Sequence, residues 1–357
     1  MSDAANAVAE ELLQRLAGSV DVSVQAFDMV RDRALLVELG AQAYRRASFL
    51  DERVHKPGMK GGWVELGRVM EAAHSVKFQH PLHFIFHTGH VGSTLVSRLL
   101  DETGTVFPLR EPAALRQLAE IHDSGGRVDS LINARGFGIL LGGFLKLWGR
   151  GDAATRAVVL KATSSAGRIA PVLLAQQTSA RAIYMNMRAE PYIATLLAGA
   201  NAAIDLRGHG PERFRRLIAY GIGDLQALHQ HSRGELAAAS WLVETWSQQK
   251  ALDAAGPQMI AVDFETLLGD IGGELGRIVR HLGLPHTATY LANAGQSPSL
   301  KQYSKAPEHA YSPELRTQVL SESRTVHADE IRKGLAWLDR AAAANPAVAA
   351  VCARAKL

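Results

Sequence analysis

The stretch that most constrains this chain runs from Leu82 to Leu100. Leu82-His83-Phe84-Ile85-Phe86-His87 is short, apolar and aromatic, the pattern of a strand buried on both faces. A turn with two glycines follows, Thr88-Gly89-His90-Val91-Gly92-Ser93-Thr94, and then Leu95, Val96, Leu99 and Leu100 mark one face of a helix. In such a turn successive N–H groups point into one concavity, and the helix start adds partial positive charge, so the turn suits a phosphate. The glycines let the backbone approach the anion closely, and Ser93 and Thr94 add hydroxyl donors. From the turn alone two readings stand: an anion cradle, or a plain strand-to-helix turn with a Ser/Thr cap. A nucleoside-triphosphatase loop needs Gly-Lys followed by Ser or Thr. Here Ser93 follows Gly92 directly, so that reading loses its main electrophile.

The rest of the chain repeats the alternation. Ala157 to Leu160, Ala182 to Met185 and Gln258 to Val262 read as further strands. The second of these runs on to a polar turn and a helix from Pro191 to Leu197. After the last, Leu275, Ile278, Val279 and Leu282 sit at helical spacing, with Gly283 as a C-cap and Pro285 beyond. Strands alternating with helices predict an α/β fold, a P-loop-type, mostly parallel sheet flanked by helices. Residues 1–80 read as an extra helical N-terminal region packed on the core, with helices over Val8–Leu16, Arg31–Ala47 and Val64–His74. The core is expected over 81–312, and a helical, alanine-rich tail over 313–357.

Composition narrows the classes. The chain has 357 residues, 47% hydrophobic and 21% charged, enough for a large core. Its one cysteine, Cys352, excludes a disulfide framework and a Cys-based metal site. His229-Gln230-His231 is the nearest approach to a metal cluster and reads as a solvated helix face, so no metal is expected. Met1 to Leu16 lacks a basic n-region, and Gly136 to Trp148 is too short to span a bilayer. A cytoplasmic protein with no membrane span is the expectation. The formal charge of +4 suits a polyanionic ligand, but no basic tract is interleaved with aromatics, so nucleic acid is not an expected partner.

Four segments, taken in order, resemble the P-loop sulfotransferase family, and its bacterial members in particular. His90-Val91-Gly92-Ser93-Thr94-Leu95 is similar to the loop that binds the 5′-phosphosulfate of 3′-phosphoadenosine-5′-phosphosulfate (PAPS). The continuation of that first segment through Arg110-Glu111-Pro112 looks like bacterial and tyrosylprotein-type members, which carry a catalytic carboxylate there. Val159-Leu160-Lys161-Ala162-Thr163 is similar to the strand that ends in Lys-Thr-His. Ile183 to Met187, followed by Arg188-Ala189-Glu190-Pro191-Tyr192-Ile193-Ala194-Thr195, is similar to the 3′-phosphate segment. Val262 to Leu267 with Ile278 to Pro285 looks like the family's C-terminal stretch. The chain departs from the family at three places. His90 stands where a Lys or Arg is usual, Thr163 where cytosolic members carry a catalytic His, and Arg188 to Thr195 is one residue shorter than the common spacing.

The resemblance implies transfer of a sulfuryl group from PAPS to a hydroxyl or amine of a small-molecule, carbohydrate, lipid or peptide acceptor. Gly89, His90, Val91, Gly92, Ser93, Thr94 and Leu95 are the expected 5′ loop. Arg188 and Thr195 are expected at the 3′-phosphate, with Tyr303 and Lys305 in a loop able to close over the nucleotide. Glu111 is the candidate base, the plain alternative being a first-turn Glu favouring a helix that starts at Pro112. Arg110 beside it could lower that carboxylate's pKa. His90 and Lys161 are the candidates for the leaving-group side, Lys161 alternatively being a surface lysine at a strand end. Arg332-Lys333-Gly334 echoes a phosphate motif and reads as a solvated helix face. Two other functions fit the same residues: a nucleotide-binding protein of this fold without catalysis, and a P-loop nucleoside-triphosphate enzyme.

Overall fold

The computed structural model describes residues 3–199, 201–222, 225–302 and 312–355. Its elements begin with α1 (Asp3–Leu16), β1 (Val22–Asp28), β2 (Arg33–Glu38), α2 (Ala41–Arg46), β3 (Gly61–Glu65) and α3 (Leu66–Ser75). Then come β4 (Leu82–His87), α4 (Ser93–Asp101), β5 (Val106–Arg110), α5 (Ala113–Ser124), α6 (Ala134–Trp148), β6 (Ala157–Lys161), α7 (Ala170–Gln176), β7 (Ala182–Asn186) and α8 (Ala189–Ala198). Helices α9 (Ala202–Gly208), α10 (Gly210–Ala219) and α11 (Arg233–Ala255) lead to β8 (Met259–Asp263). Beyond it lie α12 (Phe264–Gly269), α13 (Ile271–Leu282), α14 (Ala288–Asn293), α15 (Pro313–Val326), α16 (Ala328–Ala344) and α17 (Pro346–Arg354).

The five later strands form one parallel sheet in the order β5-β6-β4-β7-β8. Side chains alternate across it. Phe84 and Phe86 of β4 enter one core, and Ile85 enters the other. Helices α1, α3, α5, α6 and α7 cover the first face, and α4, α8, α13 and most of α11 cover the second. The sheet is therefore buried on both sides, as its apolar strands require. Central β4 has later strands on both flanks. Ligands in such sheets bind outside the carboxyl ends, where the strand order reverses.

The N-terminal region differs from the sequence reading. In place of a helix over Arg31–Ala47 the chain makes a hairpin, β1 to β2, continued by β3 into an antiparallel sheet of three strands. Asp28 Oδ1 accepts the N–H groups of Val30 and Arg31, at 3.0 Å each, and Asp32 takes a left-handed φ of 47°. That turn breaks helical continuity before Arg33. Cross-strand packing then overrides local propensity from Arg33 to Glu38. Only the short α2 survives of the expected helix. Strand β5 was not read either. Pro108 lies inside it, which is tolerated because β5 is the sheet's edge.

Candidate active site

The turn after β4 is shaped by its backbone. Gly89, His90 and Gly92 have φ of 97°, 55° and 70°. Only Gly92 could hold its place. A Cβ there would lie 2.2 Å from Phe264 Cε2, on top of an unfavourable φ. Gly92 is the N-cap of α4 and offers no side-chain cap, so the helix's first N–H groups are left for another acceptor. The Gly89 N–H donates to His87 Nδ1 (3.1 Å), and the Tyr192 hydroxyl donates to the Thr88 carbonyl (3.1 Å). Thr88 Oγ1 and Thr94 Oγ1 are buried with no hydrogen-bond partner among the described residues. Buried hydroxyls of this kind are costly unless something accepts or donates to them. Uncapped amides and orphan hydroxyls on one turn fit a phosphate-type group. The side chains of Val91 and Leu95 point into the second core, so those two residues offer only backbone. His90 is partly exposed.

Two strands over, beyond β6, Glu111 follows β5 with a φ of 52°. A glutamate rarely adopts that conformation, and it is held there by its surroundings. Its N–H donates to the Lys161 carbonyl at 2.7 Å. On either side, Leu50 donates its N–H to the Arg110 carbonyl (2.7 Å) and accepts from the Ala113 N–H (3.1 Å). The Glu111 carboxylate pairs with Lys161 Nζ. Lys161 is fully buried and Glu111 is 7% exposed. His87 Nε2 lies 4.0 Å from Glu111 Oε1. Because His87 Nδ1 accepts from Gly89, its hydrogen sits on Nε2, which donates to the Ala162 carbonyl at 2.9 Å.

This geometry corrects three readings of the sequence. Helix α5 starts at Ala113 with Pro112 as its N-cap, so Glu111 is outside its first turn. Lys161 is not a surface lysine. Arg110 turns away from Glu111 and donates to Ser97 Oγ (2.9 Å), to the carbonyls of Arg45 (2.8 Å) and Ala47 (3.0 Å), and to Asp101 (3.1 Å). Burial, against the pull of Asp101, brings its guanidinium down to about 10. The cation beside Glu111 is therefore Lys161, not Arg110.

The 3′ side is more open. Arg188 is exposed, caps α8, and makes no side-chain hydrogen bond or ion pair among the described residues. Thr195 stands seven residues on, roughly 10 Å along the helix. Its hydroxyl donates back to the Pro191 carbonyl at 2.7 Å, so its hydrogen is already committed. Tyr303 and Lys305 lie outside the described residues. Thr163 is half-buried at the end of β6, where a short 3-10 turn begins.

Two other motifs resolve plainly. The His231 side chain is buried against Phe214 and Trp337, with ring centroids at 5.1 and 6.2 Å, and so is not on a solvated face. No group of three or more possible metal ligands occurs among the described residues. Arg332 and Lys333 pair with Asp329 and Glu330 on the exposed side of α16, as expected, while Gly334 meets the backbone of Gly234.

The sequence reading missed His87, Thr88, Asn186, Tyr192 and Phe264. Asn186 ends β7 with its Oδ1 buried and without a partner among the described residues. His87 and Asn186 share one signal: a polar residue that closes an apolar strand at its carboxyl end. Arg53 was missed as well. It pairs with buried Asp51, lies 3.4 Å from the Phe49 ring centroid, and feels Glu111's charge.

Fold and site together define a P-loop-type α/β protein with a glycine-containing strand-to-helix turn after β4 and a buried acid–lysine pair at the same end of the sheet. No family model matches the sequence, and no curated protein does. The solved structures that it resembles include sulfotransferases. A mouse sulfotransferase solved with PAP is 11% identical, with a TM-score of 0.40, over 79% of this chain and 92% of that one. A sulfotransferase from Alicyclobacillus acidocaldarius is 14% identical, with a TM-score of 0.36, over 72% and 95%. Sulfotransferase STF9 from Mycobacterium avium is 13% identical, with a TM-score of 0.36, over 89% and 96%. At such identities the site must be judged on this chain's own residues.

Proposed function

We propose that this chain is a cytoplasmic, PAPS-dependent sulfotransferase acting on a hydroxyl or amine of a small molecule, carbohydrate, lipid or peptide. The observation that carries the reading is the juxtaposition at the carboxyl end of the sheet. An uncapped helix start with orphan threonine hydroxyls sits on β4, and Glu111, in a disfavoured backbone conformation, pairs with Lys161 next to it. PAPS supplies the sulfuryl group and a PAP leaving group. The amides from Gly89 to Leu95, with Ser93, Thr88 and Thr94, would hold its 5′-phosphosulfate. His90 and Lys161 would donate to the oxygen on which charge develops. Arg188 would take the 3′-phosphate in a bidentate pair, with Thr195 offering its lone pairs, and Tyr303 and Lys305 would close over the nucleotide.

Glu111 would accept the proton of the acceptor's nucleophile. Its contact with Lys161 couples the two roles. While Glu111 carries charge, the ammonium is held against it. Once Glu111 takes a proton, that hold weakens and the ammonium is released toward the leaving oxygen. Base and electrophile thus act in sequence.

Calorimetry with PAP and AMP tests the reading. The wild type should prefer PAP, and Arg188→Ala should lose most of that preference. A wild type indifferent to the 3′-phosphate would end it. Turnover of labelled PAPS with a panel of hydroxyl compounds then separates the enzyme from a protein that only binds nucleotide.

A further inference from the structure

Phe264 lies against Gly92, filling the space a Cβ would need, and is itself 5% exposed. Something holds that ring in place. The Arg316 guanidinium carbon stands 5.0 Å from its centroid, within cation–π range. Both terminal nitrogens of Arg316 donate to the Glu265 carboxylate, the residue next to Phe264. Nη2 also lies 3.6 Å from Met187 Sδ, one residue before Arg188. Arg316 belongs to α15, which is fastened to α8 by the Ser323 hydroxyl on the Ala194 carbonyl (2.7 Å) and by the Arg324–Glu190 pair (2.8 Å). One helix of the C-terminal tail therefore touches the packing behind the phosphate loop and the helix that Arg188 caps.

We infer that Arg316 is a positioning residue for the phosphate loop, acting through the Phe264 ring. The guanidinium pins the ring, and the ring bars the loop at Gly92 from relaxing out of its cradle shape. Glycine gives this loop the freedom to curve but also to uncurve. A fixed aromatic wall removes the second freedom without touching the ligand. This inference rests on the nucleotide reading above and adds a residue from the tail, for which the sequence offers no chemistry.

The test is PAP affinity by calorimetry in the full chain. Arg316→Met should weaken binding by about fivefold or more, the scale of one cation–π contact. Arg316→Lys should recover most of it, because an ammonium can also sit over the ring and pair with Glu265. Phe264→Leu should reproduce the loss, and adding Arg316→Met to it should cost nothing further. If Arg316→Met does not fold, Phe264→Leu and Arg316→Lys decide the matter by the same readout. Wild-type affinity in a folded Arg316→Met or Phe264→Leu protein, or additive losses in the double variant, would overturn the inference alone. A wild type that ignores PAP would overturn the nucleotide reading, and this inference with it.

Discussion

The two ends of the central sheet use the same residue types to different ends. At the amino end His83 is buried on β4, and its Nδ1 accepts the Arg181 N–H at 3.1 Å. His281 reaches the carbonyls of Ala182 (3.0 Å) and Gln258 (3.2 Å), while Arg181 donates to the His281 carbonyl (2.6 Å). The polar contacts there run mostly to backbone groups. At the carboxyl end, four residues along β4, His87 also serves backbone groups. Around it, however, lie a buried lysine–carboxylate pair, two left-handed non-glycine residues and threonine hydroxyls without a partner among the described residues. Strain and buried charge with no local justification mark a site better than histidines or arginines do.

Four changes put that contrast to the test. The largest effect belongs to Glu111→Gln, which should leave PAP binding intact and lower turnover by about 10²–10⁴-fold. Equal turnover in the variant, measured with labelled PAPS, would move the base elsewhere. Next comes Lys161→Met, which takes the paired cation from a buried carboxylate and should cost about 3–5 kcal/mol in a urea melt. Adding Glu111→Leu should recover much of that loss, since the buried charge goes too.

At the amino end the expected effect is on stability alone. Burial, with Arg181 and His281 nearby, holds His83 at about 4, below the ordinary 6.5. The unfolded chain takes up its proton as pH falls through 6.5, and the folded one does not until about 4. His83 therefore supports the fold fully above pH 6.5 and loses about 3 kcal/mol of that support by pH 4. His83→Gln can still accept from Arg181, so urea midpoints at pH 7 and pH 4.5 should lie closer together than in the wild type. Its PAP affinity at pH 7 should not change. The smallest effect is that of Ser93→Ala, a loss of about 1–3 kcal/mol in PAP binding with little change in melting temperature.

Much of the sheet was legible because a strand buried on both faces is written as an apolar run. That pattern marked β4, β6, β7 and β8 within a residue or two. Strand β5 carries Pro108 and ends in Arg110, and only its edge position makes that composition tolerable. Helix α11 escaped notice for a related reason. It is buried nearly throughout yet holds Glu244, Thr245, Ser247, Gln248 and Gln249, so no single apolar face announces it. The glycine-containing turn after β4 could be read because strand, glycines and helix start are neighbours in sequence. The Glu111–Lys161 contact could not, because it joins residues fifty apart through a strand pairing that only the folded sheet creates. The first antiparallel sheet was lost to helix-like local composition.

Pro108 has a further consequence. It shares the outward-facing parity of Val106 and Arg110 along β5. The Val106 carbonyl accepts from Arg45 Nη1 at 3.2 Å, and the Arg110 carbonyl accepts from the Leu50 N–H. Proline has no N–H to offer. The one side of β5 that could template a foreign strand thus lacks a donor at Pro108, and its Val106 and Arg110 acceptors are taken. A sheet edge left bare invites aggregation, and this one is interrupted by the Arg45 guanidinium at Val106, by its own imide at Pro108 and by the Leu50 amide at Arg110.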